Sequence, residues 1–186
     1  AVRGVFREIS GNGCAAFSVQ APRHRPFTVE LSVPGRHAMT NALAAVAVGM
    51  TLKVPANDIR RSLKRFSAVG KRMEVVKVGG VTILNDTYNA NSDSVITALD
   101  TLAAMHSAGK KIVILADMLE LGERSREEHR RVGDAVVGFD VLLTFGELAK
   151  QINERARVAT NIHYEMKSVL AEFAAELLSP GDIVLV

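Results

Sequence analysis

Along the first 35 residues, apolar and polar positions alternate in short runs. The alternation predicts three strands, at 2–9, 15–19 and 27–33, separated by the turn signals Gly11-Asn12-Gly13 and Pro22. After Pro34-Gly35 the pattern changes. Residues 37–50, HAMTNALAAVAVGM, are apolar on nearly every side and rich in alanine, which predicts a buried helix. A second helix is expected over 57–66 with Asn57 as its N-cap. The small-residue link SAVGKR then marks a domain boundary near residue 70. Beyond it, strand patterns (72–78, 81–86, 111–116, 140–144, 161–164, 182–186) alternate with helical ones (92–106, 125–138, 147–157, 166–178). The run Ile112-Val113-Ile114-Leu115-Ala116 is continuously apolar, as a strand covered on both faces must be. Ser125-Arg126-Glu127-Glu128 reads as a capping box opening a helix. Such alternation implies an α/β fold with a doubly wound, mostly parallel sheet. Gly79-Gly80 predicts a hairpin that makes one strand antiparallel.

Composition narrows the class. A chain of 186 residues holds one domain with a proper core, or one domain and a piece of another. A net charge of +3 gives no electrostatic case for nucleic acid, and the absence of tryptophan argues against a stacking platform for single strands. The single cysteine, Cys14, excludes an internal disulfide framework and fits a reducing cytoplasm. No apolar run approaches the roughly 18 residues that span a bilayer, and no signal-peptide layout opens the chain. The chain begins without methionine inside a strand pattern and stops inside another, which suggests a fragment.

Gly11-Asn12-Gly13-Cys14-Ala15-Ala16 outlines a dinucleotide fingerprint, but that fingerprint needs a helix next. Strand and turn residues follow instead, so Asn12-Gly13 is expected to be a tight hairpin turn with both residues at positive φ. Ligands of an open α/β sheet bind beyond the carboxyl ends of its strands. That rule points to residues 85–91 and 117–123, and if their strands are neighbours Asp86 and Asp117 share one edge. Two readings stay open there. Asn91 can be the N-cap of the following helix and Asp86 a brace for its turn, or both can face a ligand. Asp117 and Glu120 are acids among apolar residues without obvious turn chemistry. His129 is in step with Val132 and Val136 and reads as a satisfied core histidine. Arg72 can face phosphate or solvent, and His37 and Asn41 share one face of the first turn of an apolar helix. Metal-ligand spacing, a nucleophile elbow and a Walker loop are all missing from these residues. By its own residues the chain offers a ligand-binding edge without a catalytic engine.

Taken together, PGRHAMTNALAAVAV, KRMEVV, ILNDTYNANSDS and LADMLELGERSREEHRRVG resemble the Mur ligases of peptidoglycan synthesis. Within that family, NDTYNAN with DMLELGE resembles the type that adds D-alanyl-D-alanine to UDP-N-acetylmuramoyl-tripeptide. The resemblance implies that residues 1–70 end a central ATPase domain and that 71–186 form a Rossmann-like C-terminal domain. It implies ATP and Mg²⁺ as cofactors, with the magnesium ligands upstream, and a monomer in the bacterial cytoplasm. His37 and Asn41 would line an adenine pocket, Arg72 would reach the ATP phosphates, and Asp86 would hold the ribose hydroxyls. Asn89, Asn91, Asp117 and Glu120 would face the incoming dipeptide. The chain alone, lacking a phosphate loop, is expected to be inactive. It departs from the family pattern at Ala38 (commonly asparagine), Ser92 (commonly proline) and Ala116 (commonly glycine). Proline at the start of a helix mainly preorganises it, so Ser92 is expected to affect stability more than function. The competing reading is a nucleotide-binding or protein-interaction module without ligase activity.

Overall fold

The computed structural model describes residues 1–22, 24–68 and 70–186. The chain divides into two compact units, Ala1–Val69 with Ala104–His106, and Gly70–Ala103 with Ser107–Val186. None of the described helices is long and apolar enough to cross a membrane.

The first unit is an antiparallel meander of β1 (Arg3–Ile9), β2 (Cys14–Gln20) and β3 (Phe27–Pro34), followed by α1 (His37–Thr51) and α2 (Ala56–Arg65). Alternate residues Phe17, Val19 and Val29 of the sheet pack with Ala42, Val46 and Ile59 of the helices. The β1–β2 turn differs from the expected one. Only Gly13 has positive φ (82°), and the Gly13 amide donates to the Ser10 carbonyl at 2.8 Å. This is a three-residue loop with its left-handed glycine last, not a two-residue turn. Either way a strand follows, and the dinucleotide outline has no helix. Two helix expectations are corrected as well. The first helix buries only Ala42 and Val46 and leaves Val48 60% exposed, because an alanine-rich surface needs just one packed stripe. The second begins at Ala56 behind an N-cap Pro55, whose carbonyl accepts the Asp58 and Ile59 amides, so Asn57 caps nothing.

The second unit is the α/β sandwich. In chain order it contains β4 (Glu74–Val78), β5 (Val81–Asn85), α3 (Ser92–Ala104), β6 (Lys111–Ala116), α4 (Ser125–Ala135), β7 (Val141–Phe145), α5 (Lys150–Arg155), β8 (Thr160–Tyr164), α6 (Lys167–Leu177) and β9 (Ile183–Leu185). The sheet order is β4-β5-β9-β6-β7-β8, with β4 antiparallel to β5 and every other pair parallel. The expected fold class is therefore the observed one. Gly79 and Gly80, both at positive φ, make the two-residue turn that pairs Val78 with Val81. The strand expected from residue 72 starts only at Glu74, because Lys71 and Met73 sit at φ 60° and 52°, outside the strand region. On one face Ile112, Val141, Leu143 and Val184 pack against Leu170 and Ala174 of α6. Leu84, Val113, Leu142 and Leu185 alternate with them and are equally buried on the other face.

The capping box expected at Ser125 is not formed. A 3-10 turn, Gly122–Arg124, runs directly into α4, and no side chain caps it. Glu128, the residue that would have closed the box, is buried and accepts a hydrogen bond from the Ser92 hydroxyl. Arg124 pairs with Glu128 at 2.6 Å, while Arg131 reaches Asp93 at 2.7 Å and the Ser92 hydroxyl at 3.1 Å. Where proline would only preset a backbone angle, Ser92 thus ties the start of α3 to α4. The Ser92 hydroxyl, joined by the two arginines and opposed by burial, holds the Glu128 carboxyl below its ordinary value of 4.5. A carboxyl with a depressed folded pKa stabilises the fold fully above its unfolded pKa and loses that contribution as pH falls through the folded one. Thermal midpoints followed from neutral pH into the acid range should therefore fall less steeply for Glu128→Gln than for the wild type. Parallel acid limbs would refute the coupling.

Candidate functional site

At the carboxyl edge of the parallel sheet lies a cavity of about 380 Å³. Its walls come from the residues after β5 (86–90), the end of β6 and its loop (114–119), Phe145 of β7, Lys167 at the start of α6, and Leu185-Val186. The apolar strand ends form the floor and polar loop groups the rim, the usual make-up of a ligand site. Strand β9 runs between β5 and β6, so the two loops flagged by the sequence are one strand apart rather than adjacent.

Asp86 is fixed by its neighbours. Its amide donates to the Val186 carbonyl at 2.9 Å, and its Oδ1 accepts the Met73 amide at 2.9 Å. That bond holds residues 71–73, of which Lys71 and Met73 are left-handed, against the sheet edge, together with the Tyr88 amide, which donates to the Lys71 carbonyl at 3.0 Å. The same contacts bring Arg72 over Tyr88, guanidinium to ring centroid 3.9 Å, with both side chains exposed. A cation is thereby parked at the rim beside the Asp86 carboxylate's loop. Asn85 accepts the Thr87 hydroxyl at 2.8 Å, so the turn is closed by its own side chains.

Asn89 lines the cavity and is exposed, its Oδ1 near the Ala90 amide at 3.0 Å. Asn91 does not line it. Its Oδ1 accepts the Ser94 amide at 2.9 Å while its own amide donates to the Ser94 hydroxyl at 3.0 Å, a reciprocal cap on α3. Asp117 lines the cavity and is also structural. Its Oδ1 accepts the Ala149 amide at 2.7 Å, tying the end of β6 to the start of α5, and the carboxylate lies directly over Gly146. Glu120 is exposed, outside the lining, at φ 62°. His129 is fully buried with both ring nitrogens engaged. Nε2 accepts the Met118 amide at 2.9 Å, which leaves the proton on Nδ1 for the Ser125 carbonyl at 2.6 Å. The histidine therefore pins the cavity loop to α4. In the first unit, His37 opens α1 half-buried and Asn41 lies exposed one turn on.

Sequence reasoning missed Lys167, the only lysine or arginine among the lining residues. It also missed the Tyr88 stack and the need for glycine at 146. Lys167 was within reach of the same edge rule, since it follows β8 closely.

Among the described residues, no group of three or more His, Cys, Asp or Glu could hold a metal ion. Residues 71–186 match the family model described as Mur ligase, glutamate ligase domain. The chain is 33% identical over 169 residues to the UDP-N-acetylmuramoyl-tripeptide–D-alanyl-D-alanine ligase of Bacillus subtilis, a match covering 85% of this chain and 36% of that protein. It is 37% identical over 162 residues to the UDP-N-acetylmuramoylalanine–D-glutamate ligase of Pelotomaculum thermopropionicum, covering 84% and 33%. The crystal structure of MurF ligase from Thermotoga maritima in complex with ADP superposes with a TM-score of 0.82 at 27% identity, covering 98% of this chain and 42% of that one. The chain thus spans about a third of the length of the curated relatives it matches.

Proposed function

The chain belongs to the Mur ligase family, and we propose that it is part of an ATP-dependent ligase joining D-alanyl-D-alanine to UDP-N-acetylmuramoyl-tripeptide in peptidoglycan precursor synthesis. In this reading residues 1–70 end the central ATPase domain, 71–186 are the C-terminal domain, and the protein works as a monomer in the bacterial cytoplasm. The observation that carries the reading is the cavity itself, because NDTYNAN and DMLELGE, far apart in sequence, both contribute to its wall.

The chemistry sets what the residues must do. A free carboxylate is a poor electrophile. Transfer of the ATP γ-phosphoryl group to one of its oxygens yields ADP and an acyl phosphate. The neutral amine of the dipeptide then attacks the acyl carbon. The C–N bond forms, the nitrogen loses a proton, and the C–O bond breaks as phosphate departs. Arg72, held over Tyr88, reaches the ATP phosphates. Asp86 accepts the ribose hydroxyls; a carboxylate offers about four acceptor positions, so its bond to Met73 is compatible with that role. His37 and Asn41 contribute to the adenine pocket. Asp117 and Asn89 orient the dipeptide's amino end, and the acid holds it as an ammonium until it deprotonates. Asn91 and Glu120 are left out of the binding set, since one caps α3 and the other lies outside the lining. No step is assigned to Mg²⁺, for which the described residues supply no ligand cluster.

The test is phosphate release by the full-length protein. It should require ATP, the tripeptide substrate and D-alanyl-D-alanine together, and the isolated 186 residues should release none. Release with D-glutamate and UDP-N-acetylmuramoylalanine instead would reassign the substrate. No release with any amine would favour a binding module.

A further inference from the structure

Lys167 opens α6 on the rim of the carboxyl-edge cavity. The other charged residues of the lining are Asp86 and Asp117, so the cavity carries two acids and one cation. Among the described residues, no hydrogen bond or ion pair engages the Lys167 ammonium. Its nearest secondary-structure neighbours in sequence explain its position. Strand β8 ends at Tyr164 and α6 begins three residues later, which turns Lys167 back over the sheet edge. Between it and Asp117 lies the end of β7, where Phe145 supplies an apolar wall.

We propose that Lys167 is the carboxylate anchor of the acceptor dipeptide, setting the length and charge of the amine substrate that the cavity accepts. The inference rests on the ligase reading above. Asp117 follows β6 and Lys167 follows β8, two strand spacings apart in the sheet order, or about 10 Å. An extended dipeptide spans about 7 Å between its ammonium and its carboxylate, and a hydrogen bond of about 3 Å at each end lets it bridge the two with the reach of the lysine side chain. A single amino acid spans about half that and leaves one of the two protein charges unpaired. Small side chains suit the position because Phe145 and Leu119 share the cavity wall with Asp117 and Lys167. A lysine ammonium beside apolar walls attracts a carboxylate more strongly than one in open water.

The experiment compares the full-length wild type, Lys167→Met and Lys167→Arg, using D-alanyl-D-alanine and its C-terminal amide as acceptors. Lys167 is exposed, so neither substitution should disturb folding. In the wild type the neutral amide should be the poorer acceptor by about tenfold or more in kcat/KM. Lys167→Met should raise the KM for the dipeptide by a similar factor and treat acid and amide alike to within about twofold. Lys167→Arg should recover most of the discrimination, with the KM for ATP and for the tripeptide unchanged throughout. A Met variant that still discriminates, or one that moves only the ATP or tripeptide KM, overturns the assignment. A wild type that ligates nothing overturns the ligase reading and this proposal with it, so the two failures are distinct.

Discussion

Gly146→Ala is expected to destabilise the second unit by about 4 kcal/mol, from two separate sources. Gly146 sits at φ +105°, where a β-carbon meets the backbone and the cost is about 1–2 kcal/mol. The added carbon would also lie 2.4 Å from Asp117 Oδ1 and 2.5 Å from its Cγ. That carboxylate cannot retreat without losing the Ala149 amide, held at 2.7 Å, and a hydrogen bond to a charged group contributes about 1.5–3 kcal/mol. Denaturant unfolding of a double-mutant cycle separates the sources. In an Asp117→Ala background the clash and the bond are already gone, so Gly146→Ala should then cost only the backbone share. Equal costs in the two backgrounds would show that the carboxylate does not determine the glycine. The cycle also bears on function. Asp117→Ala alone loosens the β6–α5 junction, so altered dipeptide kinetics in that variant do not by themselves establish contact with substrate. Asp117→Asn, which keeps an acceptor for Ala149, is the cleaner probe.

The site's location was legible in the sequence for a physical reason that its inner bonding was not. Periodicity of two and of 3.6 residues separates strands from helices, and a run apolar throughout, such as residues 112–116, must lie inside a sheet. Those local facts implied the fold class and, through the carboxyl-edge rule, residues 85–91 and 117–123. Strand order is not local. β9 enters between β5 and β6 only because α6 carries the chain back across the sheet, and no pattern in residues 182–186 announces which neighbours it will find. Hydrogen-bond partners are still less local. Asn91, Asp117 and Glu120 looked alike as polar groups at a strand end, yet one caps a helix, one ties two elements together and one lies outside the lining. Ser125 and Asn57 carried sound capping signals and cap nothing, since a 3-10 turn and a proline had already set the two helix starts. Local propensity names candidates, and packing then distributes them.

Asp86→Asn and Asp86→Ala should separate the two roles of that carboxylate, with the larger effect on nucleotide use. The Met73 amide donates to Asp86 Oδ1, and Met73 is buried at φ 52° between residues that feed Arg72 to the rim. Alanine removes the acceptor, so it should lower stability by about 1–3 kcal/mol and also loosen Arg72. Asparagine keeps one carbonyl oxygen for Met73 and should leave the thermal midpoint near that of the wild type. Its amide group, however, cannot accept from two ribose hydroxyls while also serving Met73, and it carries no charge. If Asp86 holds the ribose, the full-length Asn variant should therefore raise the KM for ATP by about a hundredfold, the equivalent of two weakened charge-assisted hydrogen bonds. Deoxy analogues make the test specific. Wild type should use 2′-deoxy-ATP and 3′-deoxy-ATP less well than ATP, and Asp86→Asn should use all three with similar efficiency. Should Asn match the wild type in every nucleotide constant while Ala loses only stability, the carboxylate is a brace for residues 71–73 and the ribose must find its acceptor elsewhere. The stack of Arg72 on Tyr88, guanidinium carbon 3.9 Å from the ring centroid, would then be the surviving candidate nucleotide contact at this edge, because a guanidinium that rests on an aromatic ring can still offer its N–H donors to phosphate.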